Sequence, residues 1–204
     1  MGTDFFAQKA SSYELTKTRV ANVENIANSI LRNVKLDETM HLMDFGSGTG
    51  LLLERIAPHV KKITAIDISP SMNQQLEQKR NKIHCQLDIL EIDLERRDMD
   101  HQYNGVISSM TMHHVKNIEK MFRKLHSMLE SEGFIAIADL DKEDGSFHTE
   151  DTGVHHHGFD RKAITKAAVD AGFIKVKVTS ASVVHKPHGN YPVFLLTATK
   201  SSST

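Results

Sequence analysis

The chain has 204 residues, 39% of them hydrophobic and 25% charged, the balance of a soluble globular domain and not of a disordered one. Lysine and arginine number 25 against 26 aspartate and glutamate. The resulting formal charge of −1 draws the protein neither to nucleic acid nor to an anionic lipid surface, so a small-molecule partner is expected. The single cysteine, Cys85, excludes an internal disulfide and a zinc site of several thiolates, which fits a reducing, cytoplasmic setting.

The opening "MGTDFFAQKA" lacks the basic stretch and apolar core of a secretory leader. The longest apolar run, around "GFIAIADL", is far short of the ~20 residues that span a membrane. Residues 1–204 are therefore expected to form a single domain, monomeric or homodimeric, with a polar tail at 201–204. In residues 12–34, Leu15, Val20, Val23, Ile26, Ala27, Ile30 and Leu31 recur at helical spacing. A short strand follows and ends at Phe45. After a glycine turn, "LLLERIAPHV" reads as helix as far as Pro58. "KITAID" is a second strand, and "SPSMNQQLEQKR" a helix with Ser69 as its cap and Pro70 at its first position.

"KIHCQLDI" is a third strand, "YNGVISSM" a fourth, "NIEKMFRKLHSML" a helix and "GFIAIADL" a fifth strand. Within that helix Phe122, Leu125 and Leu129, at helical spacing, read as core. Strands alternating with helices predict a parallel sheet covered on both faces. Then the pattern changes. Asp160 caps a helix ending at Gly172, and "IKVKVTSASVV" and "YPVFLLTATK" follow as strands joined by a turn holding Pro187 and Gly189. That turn is too short for a parallel crossover, so the sheet closes with an antiparallel hairpin. The fold class is α/β, a three-layer Rossmann-like sandwich with a seven-stranded, mostly parallel sheet.

The turn "MDFGSGTG" carries the chemistry. A phosphate-binding loop needs Lys and Ser or Thr after its last glycine, whereas Leu51 and Leu52 follow Gly50. A dinucleotide turn spaces its glycines G-x-G-x-x-G. Here they are Gly46, Gly48 and Gly50, and Asp44 two places earlier would repel a pyrophosphate. The ligand of this turn is expected to carry a positive group.

Acid and alternating glycines together resemble the first motif of the class I S-adenosylmethionine-dependent methyltransferases, whose seven-stranded sheet also ends in an antiparallel hairpin. The resemblance runs from about residue 38 to 200 and implies S-adenosylmethionine as cofactor. By that resemblance Asp44 serves the amino-acid end of the cofactor, and Gly46, Ser47, Gly48 and Gly50 let the backbone approach it. Asp67, with Ile68 and Met72 after it, matches the ribose-binding acid. Asp88, followed by Ile89, matches the acid that meets the adenine amino group. Asp93 in "EIDL" repeats that pattern and is a rival for the role. Ser109 and Met110 follow the fourth strand, where this family faces the methyl group.

The segment "SSMTMHHV" lacks the Asn/Asp-Pro-Pro-aromatic motif of enzymes methylating nucleobase amines. It also lacks the magnesium-binding acid of catechol enzymes and the paired glutamates of protein arginine methyltransferases. Small-molecule methyl transfer remains. Its alternatives are a cofactor-binding protein without transfer activity and an RNA methyltransferase, the latter disfavoured by the absence of a basic patch. His113 and His114, the titratable groups of the segment, are candidate proton acceptors. His155, His156 and His157 stand consecutively, so their side chains diverge and no metal site is expected. His157 is expected to line the acceptor pocket, with His148 as a further candidate. Residues 1–36, with Tyr13 beside Phe5 and Phe6, resemble the family's opening segment and are expected to form a lid. Asp139, Asp141 and Asp144 read as a solvated run.

Overall fold

The computed structural model describes Asp4, Ala10, Glu14 and residues 17–150 and 152–202. Among these, seven strands form one sheet: β1 (His41–Phe45), β2 (Lys62–Asp67), β3 (Gln86–Glu91), β4 (Tyr103–Ser109), β5 (Leu129–Leu140), β6 (Ile174–Lys186) and β7 (Gly189–Thr199). The described α-helices are α1 (Lys17–Asn33), α2 (Leu51–Ile56), α3 (Pro70–Gln78), α4 (Ile118–Ser127) and α5 (Arg161–Asp170). Across the sheet the order is β3-β2-β1-β4-β5-β7-β6. β1 to β5 are parallel, and β7 lies antiparallel between β5 and β6. The expected mostly parallel sheet with a closing hairpin is what forms. Its turn is tighter than expected, because Lys186 pairs with Gly189 and leaves only Pro187 and His188 between the strands.

Strand residues alternate between two cores, as a sheet covered on both faces requires. Leu42 and Ile63 join Val23, Ile26 and Ile30 of α1 on one side, while Met43 and Ile66 join Phe122 and Leu125 of α4 on the other. Leu129 is also buried, so the three residues read as core are core. Helix starts follow the caps in the sequence. The side chains of Ser69, Asn117 and Asp160 accept from the backbone N–H groups of Met72, of Lys120, and of Lys162 and Ala163 respectively. Pro58 ends α2 early, and the chain continues as a tighter turn over Ala57–His59. Among the described residues no helix is long and apolar enough to cross a membrane.

The third strand does not stop with "QLDI" but runs to Glu91, whose partner in register is Asp67, so Asp88 is not at the strand end but level with Thr64. Asp88 instead pairs with Lys62 at 2.6 Å, and Ile89 packs against the core from within the strand. The apolar positions of "LDILEI" keep the strand going past its first acid. Asp93 is the first acid beyond the carboxyl end. Tyr13, Phe5 and Phe6 lie outside the described residues.

Candidate functional site

The glycine turn leaves β1 at the carboxyl edge of the sheet and is stitched to β2. The N–H groups of Gly46 and Ser47 both donate to the Ile66 carbonyl, at 2.8 and 3.1 Å. Gly46 has φ +70°, and a Cβ there would stand 2.2 Å from the Thr111 side chain. No other residue fits. Gly48 also has positive φ, +53°, yet a Cβ there would meet nothing within 4 Å. The turn is thus pressed against the loop after β4 at one glycine and open at the next.

Asp67 ends β2 with its carboxylate bound on both oxygens, accepting from Gly48 N–H and Ser69 N–H at 2.8 Å each. Burial pushes its pKa up, against the downward pull of those two N–H groups. Ile68 beside it is 62% exposed, an apolar surface next to an acid at the strand end. Asn73, one turn into α3, donates to the Asp67 carbonyl. Met72 is buried with its N–H on the Ser69 cap. Asp4 of the N-terminal segment accepts from the hydroxyls of Ser69 and Ser71, and Glu14 pairs with Lys79 at 2.5 Å.

Asp44 is buried beneath the turn. Burial, and secondarily the negative Asp67, push its pKa up to about 8, and its Oδ2 has no protein partner. Ser47 Oγ, Thr49 Oγ1 and Ser109 Oγ are likewise buried and unpartnered. Asp93 accepts from Glu95 N–H at 2.9 Å and faces Arg96 at 3.3 Å. Met110 follows β4 with φ +57°, its N–H tied to the Ala138 carbonyl at 2.8 Å.

Beyond Met110 lies a cluster that the sequence reading only half found. His113 is buried, and its Nδ1 is 2.7 Å from Asp139 Oδ1, while its own N–H donates to Asp139 Oδ2 at 3.1 Å. Asp139 is fully buried, not solvated. Its position at the inward end of an unbroken apolar strand, "FIAIAD", is the signal that could have revealed it. The His114 ring sits 4.3 Å from His113, centroid to centroid, and the His148 ring 5.1 Å. Burial first, then the neighbouring His113, lowers the pKa of His114 to about 4 and that of His148 to about 3, so both rings are neutral at pH 7.

His148 belongs to the loop joining β5 to α5, which is fastened at its base. Asp141 and Phe159 form a parallel bridge, Phe159 N–H donates to the Leu140 carbonyl, and Arg161 forks onto Asp141 with two bonds of 2.7 Å. Asp141, like Asp139, is therefore part of the architecture. Higher up, the N–H groups of His155 and His156 donate to the His113 carbonyl. His157 is exposed, 3.8 Å from Glu143. The loop and His148 enclose a cavity of about 280 Å³ that His157 also lines. A larger groove of about 530 Å³ lies between Met40, Gly133 and Lys175 at the opposite edge, and neither the glycine turn nor the histidine cluster lines it. Among the described residues no three His, Cys, Asp or Glu side chains are arranged to hold a metal ion.

A sheet in this order, with one antiparallel strand and an acid-led glycine turn after β1, defines the class I methyltransferase fold. Residues 19–178 match the methyltransferase domain family, and the chain belongs to the class I S-adenosylmethionine-dependent methyltransferases. It is 28% identical over 167 residues to an uncharacterized methyltransferase of Schizosaccharomyces pombe, covering 74% of this chain and 57% of that protein. It is 31% identical over 140 residues to a malonyl-[acyl-carrier protein] O-methyltransferase of Acetivibrio thermocellus, covering 65% and 47%. The chain thus spans about half the length of these curated relatives. Among solved structures, phosphoethanolamine N-methyltransferase 2 of Haemonchus contortus with S-adenosylmethionine has a TM-score of 0.70 at 14% identity, over 99% of this chain and 60% of that one. Magnesium protoporphyrin IX methyltransferase of Synechocystis with bound S-adenosylhomocysteine has a TM-score of 0.67 at 16% identity, over 90% and 84%. These likenesses establish the shared fold.

Proposed function

We propose that this protein transfers a methyl group from S-adenosylmethionine to a small-molecule acceptor and releases S-adenosylhomocysteine. The observation that carries the reading is the group of buried polar atoms without protein partners: Asp44 Oδ2, Ser47 Oγ, Thr49 Oγ1 and Ser109 Oγ. Folded proteins leave few such atoms, and these belong to the glycine turn, the strand beneath it and the end of the strand beside it. A polar ligand with a cationic group would satisfy them. In this reading Asp44 meets the ammonium of the cofactor, Gly46 to Gly50 admit its backbone-like end, and Asp67 accepts from its ribose. Ile68 and Met72 flank the sugar and base, and Asp93, rather than Asp88, is the acid nearest the adenine edge.

When bound, the cofactor supplies a methyl group on a sulfonium sulfur, an electrophile for which alignment is the main need. The chain's own residues provide that alignment and a place for the acceptor's proton. A carboxylate oxygen can only accept, so Asp139 fixes the proton of His113 on Nδ1 and leaves the Nε2 lone pair open. An imidazole held in that tautomer is a proton acceptor for a hydroxyl or amine nucleophile. His114 is the weaker candidate, because its Nδ1 is 3.3 Å from the Gly153 carbonyl.

The test is release of S-adenosylhomocysteine across a panel of small hydroxyl and amine compounds, alongside calorimetric titration with the same product. Binding together with acceptor-dependent release is expected. Binding without release from any acceptor would point instead to a cofactor-binding protein without transfer activity, and failure to bind removes the proposal altogether.

A further inference from the structure

The cavity lined by His148, whose ring lies 5.1 Å from that of His113, has a chemical character of its own. Its polar lining comes from Glu143, His148, Thr149, Glu150, Thr152 and His157, and among the described residues no lysine or arginine lines it. Glu143 is held in place, its Oε2 accepting from the N–H groups of Gly145 and Phe147 at 2.8 and 3.0 Å. Only 9% of its side chain is exposed, so its negative charge acts across a partly dry space where Coulomb interactions are strong. Lys186 stands behind this wall, donating to the Phe147 carbonyl and lying 3.8 Å over the Phe147 ring.

His148 is the other fixed point. Its Nδ1 is 3.3 Å from Thr152 Oγ1, and its Nε2 is buried without a partner. A buried imidazole nitrogen left unpaired costs free energy that a ligand N–H would recover. As a neutral ring it adds no positive charge to repel a cation.

We propose that this cavity is an amine subsite: it selects an acceptor presenting a small ammonium or amine group, bound to His148 Nε2 and attracted by Glu143, and it rejects carboxylates. The proposal rests on the methyl-transfer reading only in taking the cavity as the acceptor's place. It makes His148, not His157, the histidine that meets the acceptor. A carboxylate entering here would face Glu143 with, among the described residues, no lysine or arginine in the lining itself, Lys186 acting on Glu143 and His148 only from behind the wall, and the volume of about 280 Å³ admits a compound of a few heavy atoms.

The test uses n-propylammonium and propionate, similar in size and opposite in charge. Each is titrated into the full chain saturated with S-adenosylhomocysteine, following the ring signals of His148 by NMR. Propylammonium is expected to shift them saturably and to bind at least about 10-fold more tightly than propionate. Glu143→Gln, which keeps an acceptor oxygen for Gly145 and Phe147, should erase most of that preference, and His148→Gln should weaken amine binding by about 10-fold. Equal or tighter binding of propionate, no saturable shift, or an unchanged preference in Glu143→Gln would overturn the proposal. If the wild-type chain fails to bind S-adenosylhomocysteine, the methyl-transfer reading falls. If it binds that product yet shows no amine preference, only the subsite falls.

Discussion

The two halves of the site are built by opposite means. Around β1 and β2 the chain leaves polar atoms unsatisfied, with Asp44 Oδ2 and the hydroxyls of Ser47 and Thr49 buried without partners. Around Asp139 of β5 the protein answers its own charge, since that carboxylate accepts three hydrogen bonds, from His113 Nδ1, His113 N–H and Leu140 N–H. The first half is incomplete until a ligand arrives. The second is a rigid instrument already assembled, with His148 Nε2 as its unpaired tip. Substitutions on one side should therefore act on affinity, and those on the other on turnover.

The harshest way to break this division is Gly46→Val, whose branched side chain would collide with Thr111 in a backbone conformation that such residues avoid. Product binding by calorimetry should vanish, with stability falling by about 2–4 kcal/mol in denaturant titration. Next is Asp139→Asn, which removes the charge that holds the His113 tautomer. Turnover should drop by about 100-fold or more while the dissociation constant for S-adenosylhomocysteine stays within about 3-fold. A parallel loss of affinity would show that the halves are not separate.

Asp44→Asn should do the reverse, weakening product binding by about 10-fold while raising thermal stability. The sign follows from protonation. Folded Asp44 keeps its proton up to about pH 8, whereas the unfolded carboxyl loses it near pH 4, so wild-type stability falls as pH rises between those values. The variant lacks that loss, and its advantage in melting temperature should grow from pH 4 to pH 8. The histidines tilt the other way. His114 and His148, neutral when folded, contribute stability that is present above about pH 6.5 and lost as pH falls toward 4 and 3, so His114→Asn should flatten the acid limb of the melting profile. The smallest effect belongs to Asp88→Ala. It should leave product affinity within about 2-fold, with only its surface ion pair to Lys62 lost, whereas Asp93→Ala should weaken binding measurably.

The same division explains what could be read in advance. The β1–β2 half rests on residues close in sequence, a glycine turn and an acid at a strand end, and the periodicity of short strands suffices to place them. The end of β3 was not legible, because an acid inside "LDILEI" looks like a strand terminus and only pairing with β2 reveals that the strand continues to Glu91. The β4–β5 half depends on contacts across long stretches of chain. Asp139 stands 26 positions from His113 and sits in a run of acids that resembles an ordinary polar loop. The apolar run "FIAIA" before it marks a buried strand, but the acids Asp141 and Asp144 after it make Asp139 look like the start of the loop. His148 is further still from its ring partners, brought to them by a loop whose path is set by tertiary bonds.

That loop is fastened where it leaves the sheet and where it returns, by the Asp141–Phe159 bridge and the Arg161 fork. A clasp of this kind separates inheritance from invention. Between its ends Phe147 is anchored in the core and Ser146 on Tyr191, whereas Thr149 and Glu150 are exposed, so variation in this loop is cheapest at its tip.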